Sequence, residues 1–170
     1  MKAKLWIVML SIAALAAFAA LSLAGAETIR GRQVQFITKA EVIQVGDVPD
    51  HIIGIYDQTG LASFETGEVA SFALKGTLDY IKGSGTIQGY TILTFEDGST
   101  MTTKYRGTTR TDPGAKSSLF EGTWTCIQGT GRLAGIQGGG TLTGRRFAPV
   151  IAGSTQLYLD FTATYTLPPK

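Results

Sequence analysis

The sequence predicts an all-β protein: an eight-stranded antiparallel up-and-down barrel that follows an N-terminal signal peptide. Three observations carry this. The last segment alternates apolar and polar residues at period two, turn residues recur at short intervals, and no 3.6-residue apolar stripe occurs outside the first 26 residues. In the last segment, Leu157, Leu159, Phe161, Ala163, Tyr165 and Leu167 alternate with Gln156, Tyr158, Asp160, Thr162, Thr164 and Thr166. That is the pattern of a strand with one buried face.

Working along the chain, strand-like runs fall at about Arg32 to Ile43, His51 to Phe64, Glu68 to Ile81, Thr86 to Phe95, Thr100 to Thr109, Ser118 to Gln128, Gly135 to Phe147 and Thr155 to Leu167. The residues between them preset or tolerate turn dihedrals: Gly46 to Asp50, Glu65-Thr66-Gly67, Lys82 to Gly85, Asp97-Gly98, Asp112-Pro113-Gly114 and Gly129-Thr130-Gly131. Asp97-Gly98 is the clearest hairpin signal. Connections this short pair consecutive strands antiparallel and leave no room for crossover helices. Closing eight such strands into a barrel removes the sheet edges that invite aggregation; a two-sheet sandwich is the rival architecture.

Glycine is disfavoured inside strands, yet Gly54, Gly76, Gly89, Gly107, Gly122, Gly138, Gly140 and Gly144 all fall within the predicted runs. A barrel explains them as kinks of bent strands or as small residues that open interior space. The triplet Gly138-Gly139-Gly140 marks either a sharp corner or a close approach by another backbone or a ligand.

The N-terminus has the form of a secretory signal. Lys2 and Lys4 precede an uncharged apolar stretch from Leu5 to Leu23, and Ala24-Gly25-Ala26 places small residues before Glu27. The domain boundaries expected are therefore residues 1–26 for the signal and 27–170 for the barrel, in a secreted or periplasmic protein. An uncleaved anchor is the competing reading, because this stretch nearly spans a bilayer of about 30 Å. Cleavage after Ala26 leaves 13 basic and 13 acidic side chains, so the pI near 8.7 of the full chain belongs to the leader. A neutral domain lacks the electrostatic footprint of a nucleic-acid or anionic-membrane partner. One Cys and one His exclude an intramolecular disulfide, a zinc finger and an Fe–S cluster. No metal or cofactor is expected.

The run Gly129-Thr-Gly-Arg-Leu-Ala-Gly-Ile-Gln-Gly138, followed by Gly139-Gly-Thr-Leu-Thr-Gly144, resembles the glycine-rich hairpin late in allene oxide cyclase and dirigent proteins. Upstream, Phe120-Glu-Gly-Thr-Trp124 is similar to bacterial allene-oxide-cyclase-like barrels, and the likeness extends over roughly Gly83 to Gly144. The resemblance implies a calycin-like barrel, often assembled as a homotrimer, with a cavity for a hydrophobic molecule. It transfers no catalytic positions, and a fold does not by itself license a function.

Other motifs have plainer explanations. Gly129 to Gly135 contains Gly-x-Gly-x-x-x-Gly but no Lys-Ser/Thr ending and no following helix, so a phosphate loop is disfavoured. His51 lacks a neighbouring nucleophile and reads as a hydrogen-bonded strand-end residue. Gly122-Thr123-Trp124 looks like the lipocalin Gly-x-Trp but lies in the sixth strand, so Trp124 reads as a core or cavity-wall ring. Arg145-Arg146 reads as solvated rim charge, and Cys126 as a buried free thiol.

The second and sixth strands have mixed faces. That fits a barrel with polar groups inside and apolar contacts outside, or bulges that shift the register. The ligand-lining candidates are Tyr56, Phe72, Tyr90, Tyr105 and Trp124, and Glu121 is the candidate acid or base, on the condition that it is buried. No nucleophile, base and orienter set is visible, so whether the chain is an enzyme stays open. The favoured reading is a barrel that binds a small hydrophobic molecule unchanged. The alternative is an isomerase or cyclase that steers a reactive intermediate by cavity shape, and the third reading is a fully packed scaffold.

Overall fold

The computed structural model describes residues 25–111, 117–148 and 156–169. The expected leader up to residue 24 and the turn Asp112-Pro113-Gly114 lie outside the described residues. Eight strands run in order: β1 Glu27–Gln44, β2 His51–Phe64, β3 Val69–Ile81, β4 Ser84–Phe95, β5 Thr100–Thr111, β6 Ser118–Gly129, β7 Gln137–Arg146 and β8 Gln156–Thr166. Each pairs antiparallel with its sequence neighbour, and β1 pairs with β8 from Glu27 opposite Tyr165 to Phe36 opposite Gln156, closing the barrel. The barrel, not the sandwich, is the architecture.

Strand limits depart from the sequence reading where closure requires it. β1 begins at Glu27, because Glu27 to Gly31 supply the backbone partners of Phe161 to Tyr165. β4 begins at Ser84, since Lys82 and Gly83, with φ of 52° and 79°, make a two-residue turn whose twist suits a hairpin. β7 begins at Gln137. The preceding residues form a short 3₁₀ turn, Gly131–Leu133, and Leu133 and Ile136 bury themselves against one end of the core. Arg132 ties this turn down by an ion pair to Asp97 at 2.9 Å and a second to Glu68.

Alternation places one side of every strand inside. On β3, Ala70, Phe72, Leu74, Leu78 and Tyr80 are buried while their neighbours are exposed, and on β8 Leu157, Leu159, Phe161 and Ala163 are buried between exposed or half-buried neighbours. Phe161 packs edge-on against Phe64 and Trp124, with ring centroids 5.4 and 6.3 Å apart, which suits the aromatic quadrupoles.

The mixed faces now have physical causes. β2 keeps one register against β3 throughout; it looks mixed because Gln58 faces the interior while Ile53, Ile55 and Leu61 face out. β6 is interrupted. Thr102 pairs with Gln128 and Thr103 with Cys126, so Ile127 bulges outward and is exposed. The glycine triplet lies within β7, where a β-carbon on Gly140 would overlap the Thr162 carbonyl of β8. Close approach of the neighbouring backbone therefore accounts for it.

Candidate functional site

Buried polar side chains face the interior of this barrel, from its middle to the end where β7 finishes. Gln35, Gln58, Thr91, Thr103, Thr109, Ser118 and Arg146 are all below a tenth exposed. A core selected only for packing has little use for them, because an interior polar group costs stability unless it is hydrogen-bonded. Most of these, with Tyr56, Tyr105 and Trp124, surround a cavity of about 50 Å³. That volume suits a few water-sized groups and lies below the roughly 300 Å³ of sites for drug-sized ligands.

The central feature is a pair of phenols. Tyr56 on β2 and Tyr105 on β5 face each other across the interior with hydroxyls 2.7 Å apart, and both side chains are buried. Space for them comes from Gly76 on β3 and Gly89 on β4, which are register partners. A β-carbon on Gly89 would stand 2.7 Å from the Tyr105 hydroxyl, and one on Gly76 would overlap it. Burial raises the pKa of both phenols, with the Tyr105 charge the next contribution at Tyr56. Both stay protonated at neutral pH, so they donate or accept hydrogen bonds and do not serve as bases.

Toward the end of the barrel where β7 finishes, Tyr80 shares a 2.6 Å hydrogen bond with Thr109, and Arg146 lies over the Phe120 and Tyr80 rings at 5.2 and 5.9 Å. Gln35 donates to Gln33 at 2.6 Å. Among the described residues, two buried side-chain atoms lack a protein partner: Gln35 Oε1 and Arg146 Nε. They stand at one level of the wall, since Gln35 and Arg146 are both register partners of Leu157.

The structure brings Tyr56, Tyr105 and Trp124 together on the cavity wall. Phe72 faces inward and is buried, but it packs beside Gly60 and does not line the cavity. Tyr90 is on the outer face, half exposed, with the Lys104 ammonium 5.8 Å from its ring. There it borders a surface groove of about 530 Å³ with Lys39 and Lys75. Alternation decides its position: Gly89 takes the inward place, so Tyr90 must point out. Glu121 is likewise exposed, because Phe120 is the inward residue of that pair, and the burial on which its acid–base role depended is not met.

Arg145-Arg146 separates in the same way. Arg145 is exposed, whereas Arg146 is inside and 3% exposed, which corrects its reading as a rim charge. Gln35, Gln58 and Arg146 escaped the sequence reading. Their signal was parity: Arg146 falls in step with Leu142 and Gly144 on the inward face of β7. His51 sits between two carboxylates at the same end of the barrel, with Asp47 at 2.6 Å and Asp79 at 2.9 Å. Among the described residues, no three His, Cys, Asp or Glu side chains stand together as a metal site.

No protein-family model matches the chain, and no curated protein sequence matches it. Among solved structures, it is similar to a conserved protein of unknown function from Rhodopseudomonas palustris, with TM-score 0.55 and 11% identity over 82% of this chain and 97% of that one. A pterocarpan synthase dirigent protein superposes with TM-score 0.48 and 9% identity, covering 84% of this chain and 91% of that one. At 11% identity, the likeness to the Rhodopseudomonas protein is one of fold: this chain is a closed eight-stranded antiparallel barrel.

Proposed function

We propose that the protein binds a small molecule inside the barrel without changing it. The observation that carries this reading is the convergence of polar side chains on the interior cavity, two of them with a buried atom that no described residue satisfies. A scaffold held by packing alone gains nothing from such atoms, each of which costs about 1–3 kcal/mol when left unpaired. A guest that hydrogen-bonds to them recovers that cost. The cavity volume sets the size: a compact molecule with a polar end, its apolar part against Leu74, Leu93 and Leu159. The phenols, held protonated, orient such a guest by hydrogen bonds.

The wider setting belongs to the same proposal. The resemblance to the allene oxide cyclase and dirigent barrels favours self-association. Val34, Phe36, Leu61 and Ile92 support it as exposed apolar side chains on the outer wall. The leader-like N-terminus favours a secreted or periplasmic location. The test of ligand binding is a native mass spectrum of protein isolated from its source. The expected result is one retained compound of low mass, absent from a Thr103→Leu variant in which the cavity is filled. A spectrum of bare polypeptide, together with no binding of any compact probe to the refolded protein, favours the packed scaffold.

A further inference from the structure

The guest's chemistry follows from Arg146. Its guanidinium is buried, and no carboxylate pairs with it among the described residues. Other described guanidiniums show the contrast: Arg32 has Asp160, and Arg132 has Glu68 and Asp97. What Arg146 does have is neutral. Nη2 donates to Ser118 Oγ at 3.3 Å, and the Phe120 and Tyr80 rings flank the guanidinium carbon. Ser118 has nothing further to offer. Thr111 Oγ1 donates to the Gly83 carbonyl at 3.0 Å, so in the 2.6 Å contact between the two hydroxyls Ser118 must be the donor and turn a lone pair toward Arg146. The guanidinium is thus fixed in direction by a hydroxyl chain while, among the described residues, its charge is unanswered and its Nε–H has no acceptor.

A buried cation of this kind is the most costly group in a protein interior unless an anion meets it. The site is built for one charge. Among the described residues Arg146 is the only cationic one on the cavity wall, and the surrounding Leu74, Ile87, Leu93, Leu157 and Leu159 are aliphatic. A dianion such as phosphate is poorly matched; a monoanion with a short apolar tail is well matched. We propose that the barrel interior binds the carboxylate of a small organic acid, to which Arg146 Nε–H donates a hydrogen bond. This rests on the reading of the interior as a ligand site and names the ligand's class.

The test follows the Arg146 Nε–H resonance in ¹⁵N-labelled protein during titration with butyrate, with butyramide as its neutral isostere and with chloride. The expected result is a saturable shift of that resonance by butyrate, at a concentration about tenfold or more below that needed for butyramide, in keeping with a charge-assisted hydrogen bond. Arg146→Met should abolish the preference for the acid over the amide. If that variant does not fold, the wild-type resonance still decides. Equal binding of butyrate and butyramide with the Nε–H signal unmoved overturns the carboxylate assignment and leaves the interior as a ligand site. Saturation by chloride at the same concentration as butyrate also overturns it, in favour of a simple halide hole. No binding of butyrate at all overturns the carboxylate assignment, and the native mass spectrum then decides the broader reading separately.

Discussion

The Tyr105 hydroxyl occupies the space that a β-carbon on Gly76 would fill. Gly76 therefore serves the interior, not the turn or the twist. Gly76→Ala should destabilise the barrel by about 1–3 kcal/mol through overpacking. Because the clash is with the hydroxyl, Tyr105→Phe should relieve part of it. Urea unfolding of the two single variants and the double variant checks this, and the expected double-variant cost is smaller than the sum of the singles.

Tyr56 and Tyr105 share one hydrogen bond across the interior, so removing one partner should cost more than removing both. Tyr105→Phe leaves the Tyr56 hydroxyl buried without its partner, at about 1–3 kcal/mol, whereas Tyr56→Phe with Tyr105→Phe should be nearer to neutral. The pair also predicts a pH effect. Burial raises both phenols in the folded state, so the fold keeps protons that the unfolded chain releases above pH about 10. Their contribution is complete below that pH and is lost as pH rises beyond it. Unfolding midpoints measured from pH 8 upward should fall more steeply for wild type than for the double phenylalanine variant.

His51 is expected to titrate above its ordinary value, because Asp79 and then Asp47 accept hydrogen bonds from its charged ring. A raised folded-state value means that stabilisation is complete below about pH 6.5 and is lost as pH rises through the folded value. An NMR titration of the imidazole measures it. Asp79→Asn should move the midpoint back toward the ordinary value, and a wild-type midpoint at or below about 6.5 contradicts the arrangement.

Cys126 should react slowly. Burial pushes its thiol up to about 11, and its sulfur lies 3.5 Å from Met101 Sδ inside the barrel. Against a free thiol near 8.5, that lowers the thiolate fraction at pH 8 by about two orders of magnitude. Labelling with a coloured disulfide reagent should be slower in the folded protein than in urea by at least that factor.

The sequence was most legible where one face was uniformly apolar. On β8, Leu157 to Ala163 alternate without interruption, and Asp97-Gly98 turns its hairpin through a glycine at φ 79° as its residue types require. The interior was less legible because polarity and burial part company there. Gln35, Gln58 and Arg146 look like surface residues, and Tyr90 looks like a lining residue; only the parity of neighbouring strands reverses those readings. Among the described residues parity itself breaks at two bulges, beside Thr38 and at Ile127, and no residue type announces either. Trp124 was accessible because it falls in step with Phe120 and Cys126, whereas Tyr56, between Gly54 and Gln58 in that step, and Tyr105, between Thr103 and Gly107, offered only the bulk of an aromatic ring.

The central claim, that this barrel holds its ligand inside, is tested most directly by titrating isotope-labelled protein with compact organic acids, amides and alcohols while following the Trp124 indole and the leucine and isoleucine methyls. Saturable shifts are expected at Trp124, Leu157 and Leu159, with Ile53 and Ile92 on the outer wall unchanged. Saturable shifts confined to the outer wall, or no saturable shift by any of the probes, would contradict it.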